Sequence, residues 1–255
     1  MIKQNIRLEM VKANARINFE DRIVAFIDIL GFKSIVDNAS KKTAKLETLQ
    51  ELISLLKEAV PLLDQKVADD VPKELIPKHI YISDSIILSA PISSEKMANY
   101  CGLSVLVMRV IQLTQLLLSK GYLIRGGIST GAVWHGDSNI VGPAYQEAYE
   151  IESETSAPRV ELSESAKKLW EHQTEKRFSD MCLNYRGCLM VNGLNSCYIL
   201  NDSDADGVVE KTFKTYIDTI NSNINNIHNE SARYKWWWFK EFFESEIRRK
   251  SMSTL

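Results

Sequence analysis

The chain has 255 residues, 45% hydrophobic and 25% charged, an ordinary globular composition with enough apolar material for one sizeable core. Its 31 Lys and Arg balance 33 Asp and Glu, which excludes a basic field for gripping a nucleic-acid polymer and leaves room for a local anion pocket. Four cysteines, Cys101, Cys182, Cys188 and Cys197, form no CxxC pair and read as buried thiols of a reducing, cytoplasmic compartment rather than as a zinc site.

In chain order, Met1 to Phe19 mixes Lys, Arg and Glu with apolar residues, without the hydrophobic stretch and cleavage site of a secretion signal. Residues 1–21 are therefore expected as a helical surface extension. Ile23 to Leu30 (IVAFIDIL) is too short for a typical helix and ends at Gly31, so it predicts a central strand with Asp28 near its carboxyl end. Helical periodicity runs from Ser34 to Leu63, and Asp64 to Pro77 reads as a polar connection.

His79 to Ser89 (HIYISDSIILS) alternates around Ser83 and Asp84, the pattern of two antiparallel strands joined by a tight turn that carries an acid. A helix is expected from Ser94 to Lys120, ended by Gly121; its polar stripe of Arg109, Gln112 and Gln115 predicts burial against a sheet and not in a membrane. Tyr122 to Thr130 is strand-like, Ala132 to Ile140 is expected to pair back onto it, and a helix follows Gly142 and Pro143. Pro158 to Leu162 and Gly187 to Leu200 predict further strands, and Thr212 to His228 and Tyr234 to Arg249 predict helices.

The order strand, helix, hairpin, helix, strand matches an α+β fold with a ferredoxin-like βαββαβ core, helices on one face of an antiparallel sheet, and extra C-terminal strands and helices. Residues 22–200 form the main domain in this reading, and residues 201–255 a helical extension packed on it.

In that topology Asp28, at a strand end, and Asp84, in a hairpin turn, reach the same edge of the sheet, where two carboxylates can hold a pair of divalent cations. The plain alternative is a helix-capping Asp28 and an ordinary turn Asp84. Gly31 at the strand-to-helix junction allows close backbone approach, and the helix amides beginning at Phe32 favour a polyphosphate.

The segment Phe26-Ile27-Asp28-Ile29-Leu30-Gly31-Phe32 resembles the FxDIxGF signature of class III nucleotidyl cyclases, with Ser83-Asp84 at the place of that family's Gly-Asp hairpin. Arg125 to Gly131 (RGGISTG) is similar to its RxGIxxG strand, and Gly142 to Glu152 follows where its last catalytic helix lies. The resemblance covers about Arg22 to Leu200. It implies that Asp28 and Asp84, with the carbonyl of Ile29, hold two Mg²⁺ or Mn²⁺ ions per site, and that Arg125 contacts phosphate. It implies in-line attack of the ribose 3′-hydroxyl on the α-phosphorus of a nucleoside triphosphate, with pyrophosphate leaving, at sites shared between two chains of a head-to-tail homodimer.

The base-reading positions depart from the purine enzymes of that family. The place of the adenylate cyclases' lysine, four before the second metal aspartate, holds Ile80, and the place of their aspartate, three before the helix glycine, holds Asn139; the Glu and Cys of guanylate cyclases are missing too. Asn139 has a donor and an acceptor for the edge of uracil or cytosine. Gly142-Pro143-Ala144-Tyr145, Ala148 to Glu152 and Pro158-Arg159-Val160 are similar to features of bacterial antiphage pyrimidine cyclases of the Pycsar type. That likeness implies conversion of UTP or CTP to cUMP or cCMP, read by a separate cyclic-nucleotide-binding effector.

Other departures bear on catalysis. Gln146 and Glu150 replace a transition-state Asn and Arg, and Asn192 replaces a late lysine, so the missing positive charge has Arg159, Lys33 and the metal ions as candidate sources. Gln146 either donates to the ribose or α-phosphate or lies on a solvated helix face. A catalytically silent nucleotide-binding module, a purine cyclase with an altered pocket and a palm-type nucleotidyltransferase are the competing functions. His79 and His135 read as structural residues or as a base, and Trp236, Trp237 and Trp238 as terminal-helix packing or an oligomer anchor.

Overall fold

The computed structural model describes residues 17–42, 45–65, 67–173, 176–196 and 207–253. It is a mixed α+β fold built on one strand. β1 (Glu20–Ile29) is buried at every position from Arg22 to Ile27, and such a run, apolar on both sides, belongs between two covered layers. β2 (Lys78–Ile82) and β3 (Ser85–Pro91) form the hairpin, and β4 (Ile124–His135) lies on the other side of β1. The order β2-β3-β1-β4, antiparallel throughout, is the ferredoxin-like core. Beyond β4 the sheet continues with β6 (Val160–Leu162), parallel to β4, then β8 (Cys188–Val191) and β7 (Cys182–Tyr185), while β5 (Ile140–Val141) pairs with the far end of β4.

The alternation of β1 sorts its side chains. Ile23, Ala25, Ile27 and Ile29 face a core shared with Leu52 and Leu56 of α2 (Leu46–Asp64) and Leu106, Val110 and Leu113 of α3 (Gly102–Ser119). Val24 and Phe26 face the opposite layer, with Ala144 and Ala148 of α4 (Pro143–Glu154). Helices therefore cover both faces, not the one face expected, which is why β1 reads as a continuous apolar run. α4 can lie close because β4 carries glycine beneath it: a Cβ at Gly127 would come 2.4 Å from the Ala148 carbonyl oxygen.

α1 (Phe32–Lys41) follows β1 directly, and α5 (Glu164–Gln173) follows β6. The C-terminal pair, α6 (Val208–Asn226) and α7 (Glu230–Ser253), builds a second core in which Ile220, Trp236, Trp238, Phe242 and Phe243 pack with Leu118, Leu123 and Met190. α3 is long and apolar enough to cross a membrane, but its apolar side chains are buried in the core, as the polar stripe predicts.

Several elements differ from expectation. The periodic stretch from Ser34 is two helices, α1 and α2. The helix expected from Ser94 begins at Gly102, where the chain passes so close to Pro91 that a Cβ would meet its carbonyl oxygen at 1.8 Å. β4 runs straight on to His135, and only Ile140 and Val141 pair back. The strand expected from Gly187 to Leu200 stops at Val191, and residues 197–200 lie outside the described part. β7 and α5 were not anticipated, because each is short and weakly periodic. Cys182 is buried, but Cys101 and Cys188 are only half-buried, and Cys197 lies outside the described residues, as does most of the expected N-terminal helix.

Candidate active site

Asp28 is the last even-numbered residue of β1, on the face of Val24 and Phe26, with Ser85 of β3 and Arg125 of β4 as its partners across the ladder. The β2–β3 turn holds Ser83 and Asp84, and the amide of Ile29 donates to the Asp84 carbonyl at 3.3 Å, clipping the turn to β1. Ser83 has φ +59°, a left-handed conformation that costs a non-glycine residue about 1–2 kcal/mol, so the backbone is strained where it presents Asp84.

The structure thus brings the two carboxyl groups into hydrogen-bonding reach of each other. Glu152, near the end of α4, is a third acid at the same point and is buried. The Nε of Arg125 lies 2.5 Å from Glu152 Oε1 and 3.5 Å from Asp28 Oδ2, and its Nη1 donates to the Thr155 carbonyl at 3.0 Å. Two of these three carboxyl groups, Glu152 and Asp28, share this one guanidinium. Burial, then the charges of Asp84 and Glu152, push the Asp28 carboxyl up to about 7, against the pull of Arg125. Burial also raises Glu152, with Arg125 opposing it and Asp84 adding to it.

Such crowding suits a hard divalent cation. Carboxylate and carbonyl oxygens are the donors that Mg²⁺ and Mn²⁺ prefer, and the repulsion between Asp28 and Asp84 is what a cation between them removes. Among the described residues no group of three His, Cys, Asp or Glu side chains forms a metal cage, so any ion here takes further oxygens from a backbone carbonyl such as that of Ile29, from a ligand or from water. Gly31 beside these acids has φ +89°, and open space surrounds the position of a Cβ, so the backbone is accessible there. Phe32 is buried and anchors the start of α1 in the main core.

The remaining candidates do not converge on this point within one chain. Asn139 is exposed in the β4–β5 turn, where its Oδ1 accepts the Ile140 amide. The ten residue steps of β4 from Arg125 to His135 put that turn roughly 33 Å from Asp28. Ile80 is packed in the apolar layer under α4, and Gln146 is exposed on α4. One candidate source of positive charge is also engaged elsewhere. Arg159 pairs with Glu161 at 2.7 Å and lies over the Trp238 ring, while Asn192, in place of the lysine, is buried and donates to Glu246 at 2.8 Å. His135 is buried with Nδ1 2.7 Å from Ser89 Oγ, a structural position far from the acids, and His79 stands edge-on to Tyr81. Trp236 and Trp238 are core residues, whereas Trp237 is exposed.

Two groups escaped the sequence reading. Glu152 ends the Gly142 to Glu152 segment with no motif that marks a role, and only helical spacing from Gly142 signals that it returns to the strand ends. Lys235 of α7 senses the charges of both Asp28 and Arg125, an approach that no local pattern signals.

No family model matches the sequence, and no curated protein matches it significantly. Among solved structures the chain is similar to the adenylyl cyclase CyaB from P. aeruginosa, at 14% identity and a TM-score of 0.44 over 68% of this chain and 93% of that one. It is also similar to the guanylyl cyclase domain of the RhoGC fusion protein from the aquatic fungus Blastocladiella emersonii, at 18% and 0.46 over 67% and 93%. A bacterial light-regulated adenylyl cyclase matches at 14% and 0.48 over 80% and 59%. At TM-scores below 0.5 these likenesses transfer no chemistry to this chain.

Proposed function

We propose that the chain is a nucleotidyl cyclase that closes a pyrimidine nucleoside triphosphate, UTP or CTP, into its 3′,5′-cyclic monophosphate and releases pyrophosphate. The observation that carries this reading is the meeting of Asp28 and Asp84 beside Arg125 and the open backbone of Gly31. Asp28, Asp84 and the Ile29 carbonyl would hold Mg²⁺ or Mn²⁺, whose charge would lower the pKa of the ribose 3′-hydroxyl and offset the charge of the departing pyrophosphate. Arg125, restrained at Nε and Nη1, has its remaining terminal nitrogen for a phosphate oxygen, and Glu152 holds the guanidinium in place. Catalysis is then a matter of positioning and charge, without a covalent enzyme intermediate.

The separation of Asn139 from Asp28 supports a head-to-tail homodimer, since a site that uses both must draw them from two chains. Ile80 cannot hydrogen-bond a purine and Asn139 can serve a pyrimidine edge, which favours UTP or CTP. Production of a cyclic pyrimidine nucleotide as a second messenger for a separate effector in antiphage defence follows from the likeness of the Gly142 to Glu152 phrase. The adenylyl and guanylyl cyclases matched above suit a purine substrate equally well, so the product decides. Purified protein is incubated with each of the four ribonucleoside triphosphates and Mg²⁺ or Mn²⁺, and the products are identified by mass spectrometry. cUMP or cCMP is expected; a purine product alone sinks the pyrimidine assignment, and no cyclic product from any of the four sinks the cyclase.

A further inference from the structure

Beside the acidic site lies a cavity of about 470 Å³, lined by Leu30, Gly31 and Ser34 on one side and by Asn229, Lys235 and Trp236 on the other. It is within the size range of small-molecule pockets, roughly 300–1,000 Å³. α7 reaches it because Trp236, Trp238 and Phe239 are buried in the second core and fix the rotation of the helix, which leaves Lys235 on the cavity side.

Lys235 differs from other lysines of its helix. Lys240 donates to Asn221 Oδ1 at 3.0 Å and Lys250 to the Leu194 carbonyl at 3.1 Å, whereas Lys235 has no ion-pair partner among the described residues although it is half-buried. Desolvation of an ammonium without a fixed partner is unfavourable unless an anion arrives. Burial and then the neighbouring Arg125 hold its pKa below the usual lysine range, while Asp28 raises it. Arg125 on β4 and Lys235 on α7 are thus two cations close to one acidic edge, with Gly31 on the wall of the cavity.

We propose that Lys235 is a phosphate ligand of this site, taking the β- and γ-phosphates of the bound nucleotide and then the departing pyrophosphate on the cavity side of Gly31. The assignment rests on the reading of the site as one for a nucleoside triphosphate. A planar guanidinium and a compact ammonium are complementary here, the first fixing direction and the second supplying charge. The C-terminal helices thereby contribute a cation to a site where Asn192 stands in place of the lysine and Arg159 is paired with Glu161.

The test is calorimetric titration of the full chain with pyrophosphate in the presence of Mg²⁺, comparing wild type with Lys235→Met, Lys235→Gln and Lys235→Arg. Loss of a charge-assisted contact is expected to weaken pyrophosphate binding roughly ten- to hundredfold in the Met and Gln variants, with most of it recovered in the Arg variant. Thermal midpoints are expected to stay close to wild type, and the Gln variant keeps the helix polar should Met disturb it. Pyrophosphate binding that is unchanged in both neutral variants, or absent in the wild type, overturns the assignment. A failure of the cyclase reading shows separately, as no cyclic product from any triphosphate, and leaves the pyrophosphate result to stand or fall by itself.

Discussion

Among the described residues two places bury glutamate, and they treat it in opposite ways. Glu246 of α7 is almost fully buried and receives three donors: Asn192 Nδ2 at 2.8 Å, and Arg249 Nε and Nη2 at 2.9 Å each. Glu152 of α4 is buried as well, but it shares the guanidinium of Arg125 with Asp28 and feels the charge of Asp84. One carboxylate with three donors is a finished structural unit, and three crowded carboxyl groups of which two share the one guanidinium are an unfinished one. The difference separates side chains that hold the fold from side chains that wait for a ligand.

Asp28 is where the two kinds of buried acid differ most in their expected response to substitution. Asp28→Ala is expected to lower turnover of the preferred triphosphate at least about a thousandfold, because an ion ligand is lost. The same change is expected to leave the thermal midpoint of the ion-free protein level or higher, since it removes one of three crowded acids. A fall in the midpoint as large as the loss of activity would make the site a structural unit after all.

At the finished unit the signs reverse. Glu246→Ala leaves the buried amide of Asn192 without its acceptor and is expected to cost about 2–3 kcal/mol in denaturant unfolding. The kcat of the folded fraction should stay within about twofold of wild type.

A third buried group sharpens the contrast through pH. Burial, then Arg22, Lys78 and His79, hold the His135 imidazole down to about 4. Between that value and the usual histidine range the unfolded chain binds the extra proton, so stability is full above about pH 6.5 and falls as pH drops toward 4, by about 2–3 kcal/mol. His135→Gln should flatten this part of the stability curve; an unchanged slope would assign it to other groups. The smallest effect belongs to Trp237, whose exposure of 47% makes Trp237→Ala worth no more than about 0.5 kcal/mol in a single chain. A larger loss that depends on protein concentration would identify the ring as an assembly contact.

Much of this was legible locally. The apolar run of β1, the alternation around Ser83 and Asp84, and the glycines at 31 and 142 each act through the backbone or the nearest neighbours, so their spacing predicts the core order and allows two aspartates at one sheet edge, a pairing that the resemblance to class III cyclases singles out. Boundaries were less legible. Gly102 starts α3 because of the approach of Pro91, and β7 needs β8 to exist at all.

What the sequence determined by itself is the βαββαβ order and the pair Asp28 and Asp84, because strand alternation and turn chemistry depend on residues close along the chain. Only the tertiary structure decided that α4 covers the second face of the sheet, that Glu152 joins the aspartates and that Lys235 reaches them from α7. It also put Asn139 at the far end of β4. Those outcomes depend on helices packing across long loops, and the free energy of such contacts belongs to pairs of residues whose distance along the chain carries no pattern.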